Sequence, residues 1–205
     1  MAELPRCRIA RWEEVDRWAD AVADRVRSAG RNPETIVGLT RGGWVPARVL
    51  ADRLGVKRIV SLRAQHWGIT ATPSGRAEVS EGLSGPVDGR TVLVVDDITD
   101  TGESLALALR TVEEGRPSRA ETATFLHIDH STFRPTYFAE EIPRDRWVWV
   151  VFPWNYWEDL AALAARARAL DPDPAAVRRI LRDRCGWPVR AEELARLEAL
   201  GLVPP

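Results

Sequence analysis

The sequence predicts an α/β fold: a mainly parallel five-stranded sheet flanked by helices, followed by a helical C-terminal appendage. Two observations carry this. Short β-branched or apolar runs alternate along the chain with segments of helical spacing, the order that right-handed strand–helix–strand crossovers require. One run, Thr91 to Val95 (TVLVV), is apolar throughout, as a central strand covered on both faces must be.

The elements follow in order. Arg11 to Ala29 spaces Val15, Trp18, Ala19, Val22 and Val26 as one face of an amphipathic helix. Thr35 to Thr40 (TIVGLT) reads as a buried strand, interrupted by Arg41-Gly42-Gly43. Trp44 to Leu54 is helical and stops at Gly55. Lys57 to Leu62 is a second strand. Ala64 to Gly89 is polar and patternless, a loop whose length inside a compact domain points to function. After Thr91 to Val95 come a helix over Thr101 to Glu114, a strand over Ala120 to His127 and a fifth strand over Trp147 to Phe152. Leu160 to Leu170 is helical, Asp171-Pro172-Asp173-Pro174 is a break, and Ala175 to Arg184 and Ala191 to Leu200 form two more helices. The expected organisation is one domain over residues 1–171 and the appendage over 172–205.

Composition excludes several classes. Of the 205 residues 45% are hydrophobic and 29% charged, which rules out a largely disordered chain. Lys plus Arg is 29 against 30 Asp plus Glu, so there is no basic excess of the kind nucleic-acid binders carry. Any anion must be held by a local site. No apolar run approaches the ~18 residues of a membrane span, and the N-terminal stretch lacks the apolar core of a secretory signal. A cytoplasmic protein with Cys7 and Cys185 reduced and unpaired is the expectation. Lys57 is the only lysine, which leaves little room for Schiff-base chemistry or a lysine phosphate clamp.

The segment with the most chemistry is VLVVDDITDTGESL, Val92 to Leu105. A buried strand ends in Asp96 and Asp97, and a short loop opens a helix. Ligands of parallel sheets bind beyond the carboxyl ends of the strands. At a helix start the amides of Thr101, Gly102, Glu103 and Ser104 lack intrahelical partners, and the dipole favours a phosphate. The hydroxyls of Thr99, Thr101 and Ser104 add donors. Asp96 and Asp97 suit a ribose diol and a hydrated divalent cation. An acid pair after a strand can also merely cap the next helix. It is the whole string that argues for a site.

That string resembles the phosphoribosyl-diphosphate (PRPP) signature of type I phosphoribosyltransferases, closest to bacterial and archaeal xanthine–guanine and hypoxanthine–guanine enzymes. The likeness runs over roughly residues 10 to 160 and implies their fold, with a small hood from the N-terminal part and about 128–160. It implies transfer of ribose 5-phosphate from PRPP to a nucleobase, a 6-oxopurine by this likeness, with Mg²⁺ and a homo-oligomer, dimer or tetramer. Asp100 takes the place of the acid near the purine nitrogen. Thr40, Arg41, Gly42 and Gly43 take the place of the diphosphate loop, often preceded in the family by a cis peptide. Asp96 and Asp97 would hold the ribose hydroxyls and the metal. The long loop corresponds to the mobile lid, with Trp67 and Arg63 or Arg76 as candidates.

The run Trp147 to Trp154 matches the hood segment, with Trp149 favoured over Trp147 as the stacking platform and the Val150 backbone reading the base edge. One departure stands out. No lysine follows the fourth strand, where the family reads the 6-oxo group; His127 is the candidate donor instead. A metal triad of His127, Asp129 and His130 is a weaker alternative. A PRPP-binding regulator without catalysis, or an enzyme for a non-purine or modified base, are the other readings.

Overall fold

The structure, a computed structural model, describes residues 4–66 and 77–202. In chain order its elements are β1 (Cys7–Ile9), α1 (Trp12–Ser28), β2 (Thr35–Thr40), α2 (Trp44–Leu54), β3 (Arg58–His66), β4 (Ala77–Glu81), β5 (Thr91–Thr99), α3 (Glu103–Glu114), β6 (Arg119–Ile128), β7 (Tyr137–Ile142), β8 (Trp149–Val151), α4 (Tyr156–Arg168), α5 (Pro174–Ile180) and α6 (Ala191–Ala199). They fall into two compact units, one of residues 13–147 and one of residues 1–12 with 148–205.

The larger unit holds a six-stranded sheet in the order β4-β3-β2-β5-β6-β7. Five strands are parallel, and β4 pairs antiparallel with β3 at one edge. In the middle, β2 pairs with both β3 and β5, so its five apolar or small residues before Thr40 are buried. Val37, Leu39, Val92 and Val94 pack against Leu105, Ala108 and Val112 of α3. Burial of each such side chain contributes about 1.5–3 kcal/mol. On α1, Val15, Trp18, Ala19, Val22, Ala23 and Val26 form the buried face; Glu13 and Glu14 start the helix and Arg25 and Arg27 end it, complementing its dipole.

Three expectations change here. The region after Leu62 is not patternless up to Gly89, because β3 continues to His66 and β4 follows over Ala77–Glu81. A charged edge strand whose one large apolar residue is Val79 has little to bury and gives no clear periodic signal. The fifth parallel strand is Tyr137–Ile142, which pairs with β6. The stretch from Trp147 to Phe152 is not one strand: Trp147 ends a 3₁₀ turn, and only Trp149–Val151 is extended, paired with β1. Trp67 and Arg76, the lid candidates, lie outside the described residues.

In the smaller unit β1 and β8 form a parallel pair, Cys7 opposite Trp149 and Ile9 opposite Val151. Asp173 caps α5 by accepting from the Ala176 amide at 2.9 Å, with Pro174 at the first helical position. The boundary expected after residue 171 is not where the chain divides. Leu163, Ala164 and Ala167 of α4, Val151 of β8, Val177 of α5 and Leu194 and Leu197 of α6 share one core, so 172–205 is part of the same packed unit. Among the described residues, no helix is long and apolar enough to cross a membrane.

Candidate active site

Parallel pairing of β2 with β5 brings their carboxyl ends to one edge of the sheet, and the two signature turns meet there. The Thr40–Arg41 peptide is cis. The turn that follows is closed by the Trp44 amide donating to the Arg41 carbonyl at 3.2 Å, and Arg41 itself is exposed. Its glycines sit directly on the acids. A Cβ on Gly42 would lie 2.8 Å from Cγ of Asp97, and one on Gly43 would lie 2.8 Å from Cα of Asp96. Any larger residue would force the turn and the acidic strand end apart. The Thr40 hydroxyl donates to the Leu62 carbonyl at 3.4 Å.

Successive residues of a strand face opposite sides, and the two acids divide accordingly. Asp96 lines a cleft of about 100 Å³ together with Ile98, Thr99, Asp100, Thr101, Gly102 and Ser104. Asp97 is 7% exposed and packs beside Gly42 instead. Their carboxylates accept locally, Asp96 from the Asp97 amide at 3.0 Å and Asp97 from the Ile98 amide at 2.8 Å. Loss of solvent, then the adjacent Asp97 charge, pushes Asp96 well above its ordinary value, against which the Gly43 amide works.

The phosphate-type cradle opens on this cleft. Gly102 precedes α3 with φ +86°, and a Cβ there would lie 2.7 Å from Cβ of Phe133. Thr132 donates its amide and its hydroxyl (3.0 Å) to the Thr101 carbonyl, pinning the loop from a segment that sequence spacing does not connect to it. The Thr101 hydroxyl accepts from the Glu103 amide at 3.4 Å, and Glu103 itself is exposed. Thr99 departs from expectation: it is 1% exposed and its hydroxyl donates to that of Thr124 at 3.2 Å, so it offers no free donor.

Asp100 projects from the same loop, its side chain 45% exposed. Two side chains converge on it: the Trp147 indole N–H donates to Oδ1 at 3.3 Å, and Nε2 of His130 lies 3.0 Å from the same oxygen. Sequence spacing connects neither partner to Asp100, since they arrive from beyond β6 and beyond β7.

Other expected residues lie elsewhere. His127 is 2% exposed, its ring 5.1 Å from that of Phe138, and its Nδ1 has no hydrogen-bond partner. Burial, then the Arg134 guanidinium, holds it below its ordinary value, so it is a neutral core imidazole and not an exposed donor. The triad alternative fails on direction: Asp129 accepts from the Arg144 amide at 2.7 Å while His130 faces Asp100. Among the described residues, no three metal-binding side chains converge. Arg63 is ion-paired with Glu81 of β4 at 2.9 Å. In the smaller unit Trp149 packs against the shared core and Val150 is 9% exposed, whereas Trp147 is 38% exposed. Trp147 is thus the more exposed of the two aromatic faces.

The chain is similar to known proteins over most of its length. Residues 10–164 match the phosphoribosyl transferase domain family. The chain is 30% identical over 149 residues, 70% of its length and 84% of the relative's, to a xanthine-guanine phosphoribosyltransferase of Cereibacter sphaeroides. Among solved structures it resembles a purine phosphoribosyltransferase from Pyrococcus horikoshii, with a TM-score of 0.62 and 24% identity, over 72% of this chain and 93% of that one. It also resembles the Helicobacter pylori xanthine-guanine-hypoxanthine phosphoribosyltransferase, with a TM-score of 0.61 and 22% identity, over 77% and 97%.

Proposed function

Because the chain belongs to the phosphoribosyl transferase family, we propose that it transfers ribose 5-phosphate from PRPP to a 6-oxopurine, giving a nucleoside monophosphate and diphosphate. The observation that carries this is the cleft in which Asp96, Thr101, Gly102 and Ser104 surround the space beside Asp100.

The residues divide the work by position. Amides and hydroxyls from Thr101 to Ser104, at the start of α3, hold the 5-phosphate. Asp96, from the cleft wall, and Asp97, from beside Gly42, hold the ribose hydroxyls. Arg41 with the Gly42 and Gly43 amides binds the diphosphate and stabilises it as it departs. The Trp147 face stacks on the base, an interaction worth about 1–3 kcal/mol. As the ring nitrogen bonds to the sugar carbon, Asp100 takes the proton the base loses. Trp147 and His130 keep that carboxylate aimed.

Mg²⁺ fits this donor set. It binds through one or two carboxylates plus substrate phosphates and keeps several waters, so Asp96 and Asp97 suffice to hold it. Asp96 lines the cleft beside the start of α3, where its carboxylate would meet such a cation. When bound, the ion supplies positive charge to the diphosphate. The enzyme is expected to be cytoplasmic and to assemble as a dimer or tetramer, which light scattering will read.

The test is incubation with PRPP, Mg²⁺ and a panel of purine, pyrimidine and modified bases. Release of diphosphate with a purine mononucleotide is the expected result. Binding of PRPP without turnover on any base would mean a ligand-responsive protein instead.

A further inference from the structure

Two cysteines from opposite ends of the sequence meet in the smaller unit. Cys7 opens β1 and is partly buried; Cys185 closes the π-helical turn over Leu181–Cys185 and is fully buried. Cys185 belongs to the core cluster of that unit and Cys7 packs against it. The backbones are close as well: a Cβ on Gly186 would lie 4.0 Å from the Cys7 carbonyl oxygen. The Cys7 thiol donates to the Pro5 carbonyl at 3.6 Å.

The surroundings are not those of filler cysteines. Packing as a small apolar side chain accounts for the burial of Cys185. It does not account for a second thiol, nor for the Arg6 guanidinium, which a Cβ on the neighbouring Gly186 would approach to 3.6 Å. Interaction with the Cys7 thiol, then the charges of Arg166, Arg6 and Arg184, lowers the Cys185 thiol, while interaction with Cys185 and burial raise Cys7. Thiolate character therefore gathers on Cys185, the inner sulfur.

We propose that Cys7 and Cys185 form an oxidation site, a dithiol that an oxidant of the peroxide class converts to an intramolecular disulfide, latching β1 to the segment between α5 and α6. The chemistry balances without another component. The Cys185 thiolate attacks hydrogen peroxide; the O–O bond breaks, a sulfenic acid forms on Cys185, and the departing hydroxide takes up a proton as the first water. The Cys7 thiol attacks that sulfur, the S–O bond breaks, and the hydroxide leaves with the Cys7 proton as the second water. Two thiols lose two electrons and two protons, and the peroxide oxygens end as two waters.

The test uses the full chain treated with hydrogen peroxide, quenched, and measured by intact mass and peptide mapping without reductant. The expected result is loss of two hydrogens, no alkylatable thiol after denaturation, a peptide joining Cys7 to Cys185, and return of both thiols with dithiothreitol. In Cys7→Ser the loss of two hydrogens disappears. Two alkylatable thiols after oxidant, oxygen added to either sulfur without a link, or a link only between separate chains each overturns the proposal. Mapping the unsubstituted protein decides the matter even if the variant does not fold.

Discussion

Gly42 lies so close to Asp97 that a methyl group there would reach within 2.8 Å of its carboxyl carbon. The glycine turn and the acidic strand end thus fix each other's position, although α2, β3 and β4 all lie between them in sequence. Gly42→Ala forces one of the two aside, an overpacking that costs about 1–3 kcal/mol. Denaturation midpoints will show that loss, with a fall in turnover. In an Asp97→Ala background the same substitution costs less, because the carboxylate it meets is gone; strict additivity in the double-mutant cycle counts against the contact.

Asp100 is held by Trp147 at 3.3 Å and by His130 at 3.0 Å. Asp100→Ala is expected to lower turnover by about 10²–10⁴-fold, the usual range for a general base, with little change in PRPP affinity. His130→Ala, which leaves the carboxylate in place but less aimed, lowers turnover by a smaller factor. Steady-state kinetics beside PRPP titration separates the two effects; equal losses in rate and affinity would contradict the assignment of Asp100.

The two hood tryptophans are expected to behave differently. Trp147 is 38% exposed, so Trp147→Ala raises KM for the base by about 10–100-fold, the equivalent of one lost stacking contact. Trp149 packs against the core of the smaller unit, so Trp149→Ala lowers the melting temperature instead. Base KM and thermal melts on both variants decide between these faces.

His127 predicts a pH dependence of stability. Burial, then Arg134, depresses its proton affinity in the folded state from the ordinary 6.5. The unfolded chain therefore binds the extra proton first as pH falls. Stability contributed by the neutral ring is present above pH about 6.5 and is lost below it, down to the depressed folded value. Urea midpoints of the protein should drop more steeply across this window than those of His127→Gln.

Much of the candidate site was legible because its signal is local. The string from Val92 to Leu105 contains the strand, both acids, the turn glycine and the start of α3 within one crossover, and TIVGLTRGG holds the opposing turn. Edge elements were not legible: AEVSE of β4 and YFAEEI of β7 show little alternation, since pairing partners and not an apolar face stabilise them. His127 misled for a related reason. On sequence it stands where a base-reading donor is wanted, but the ring turns into the core beside Phe138.

By itself the sequence determined the alternation of strands and helices, the two glycine-bearing turns and the family to which they belong, because periodicity and backbone chemistry act over a few residues. Only the tertiary structure decided that Asp97 backs Gly42, that Trp147 and His130 converge on Asp100, that the last helices share a core with β8 and that Cys7 meets Cys185. Each of these joins residues far apart along the chain, and such contacts arise from the packing of whole elements, which no local pattern encodes.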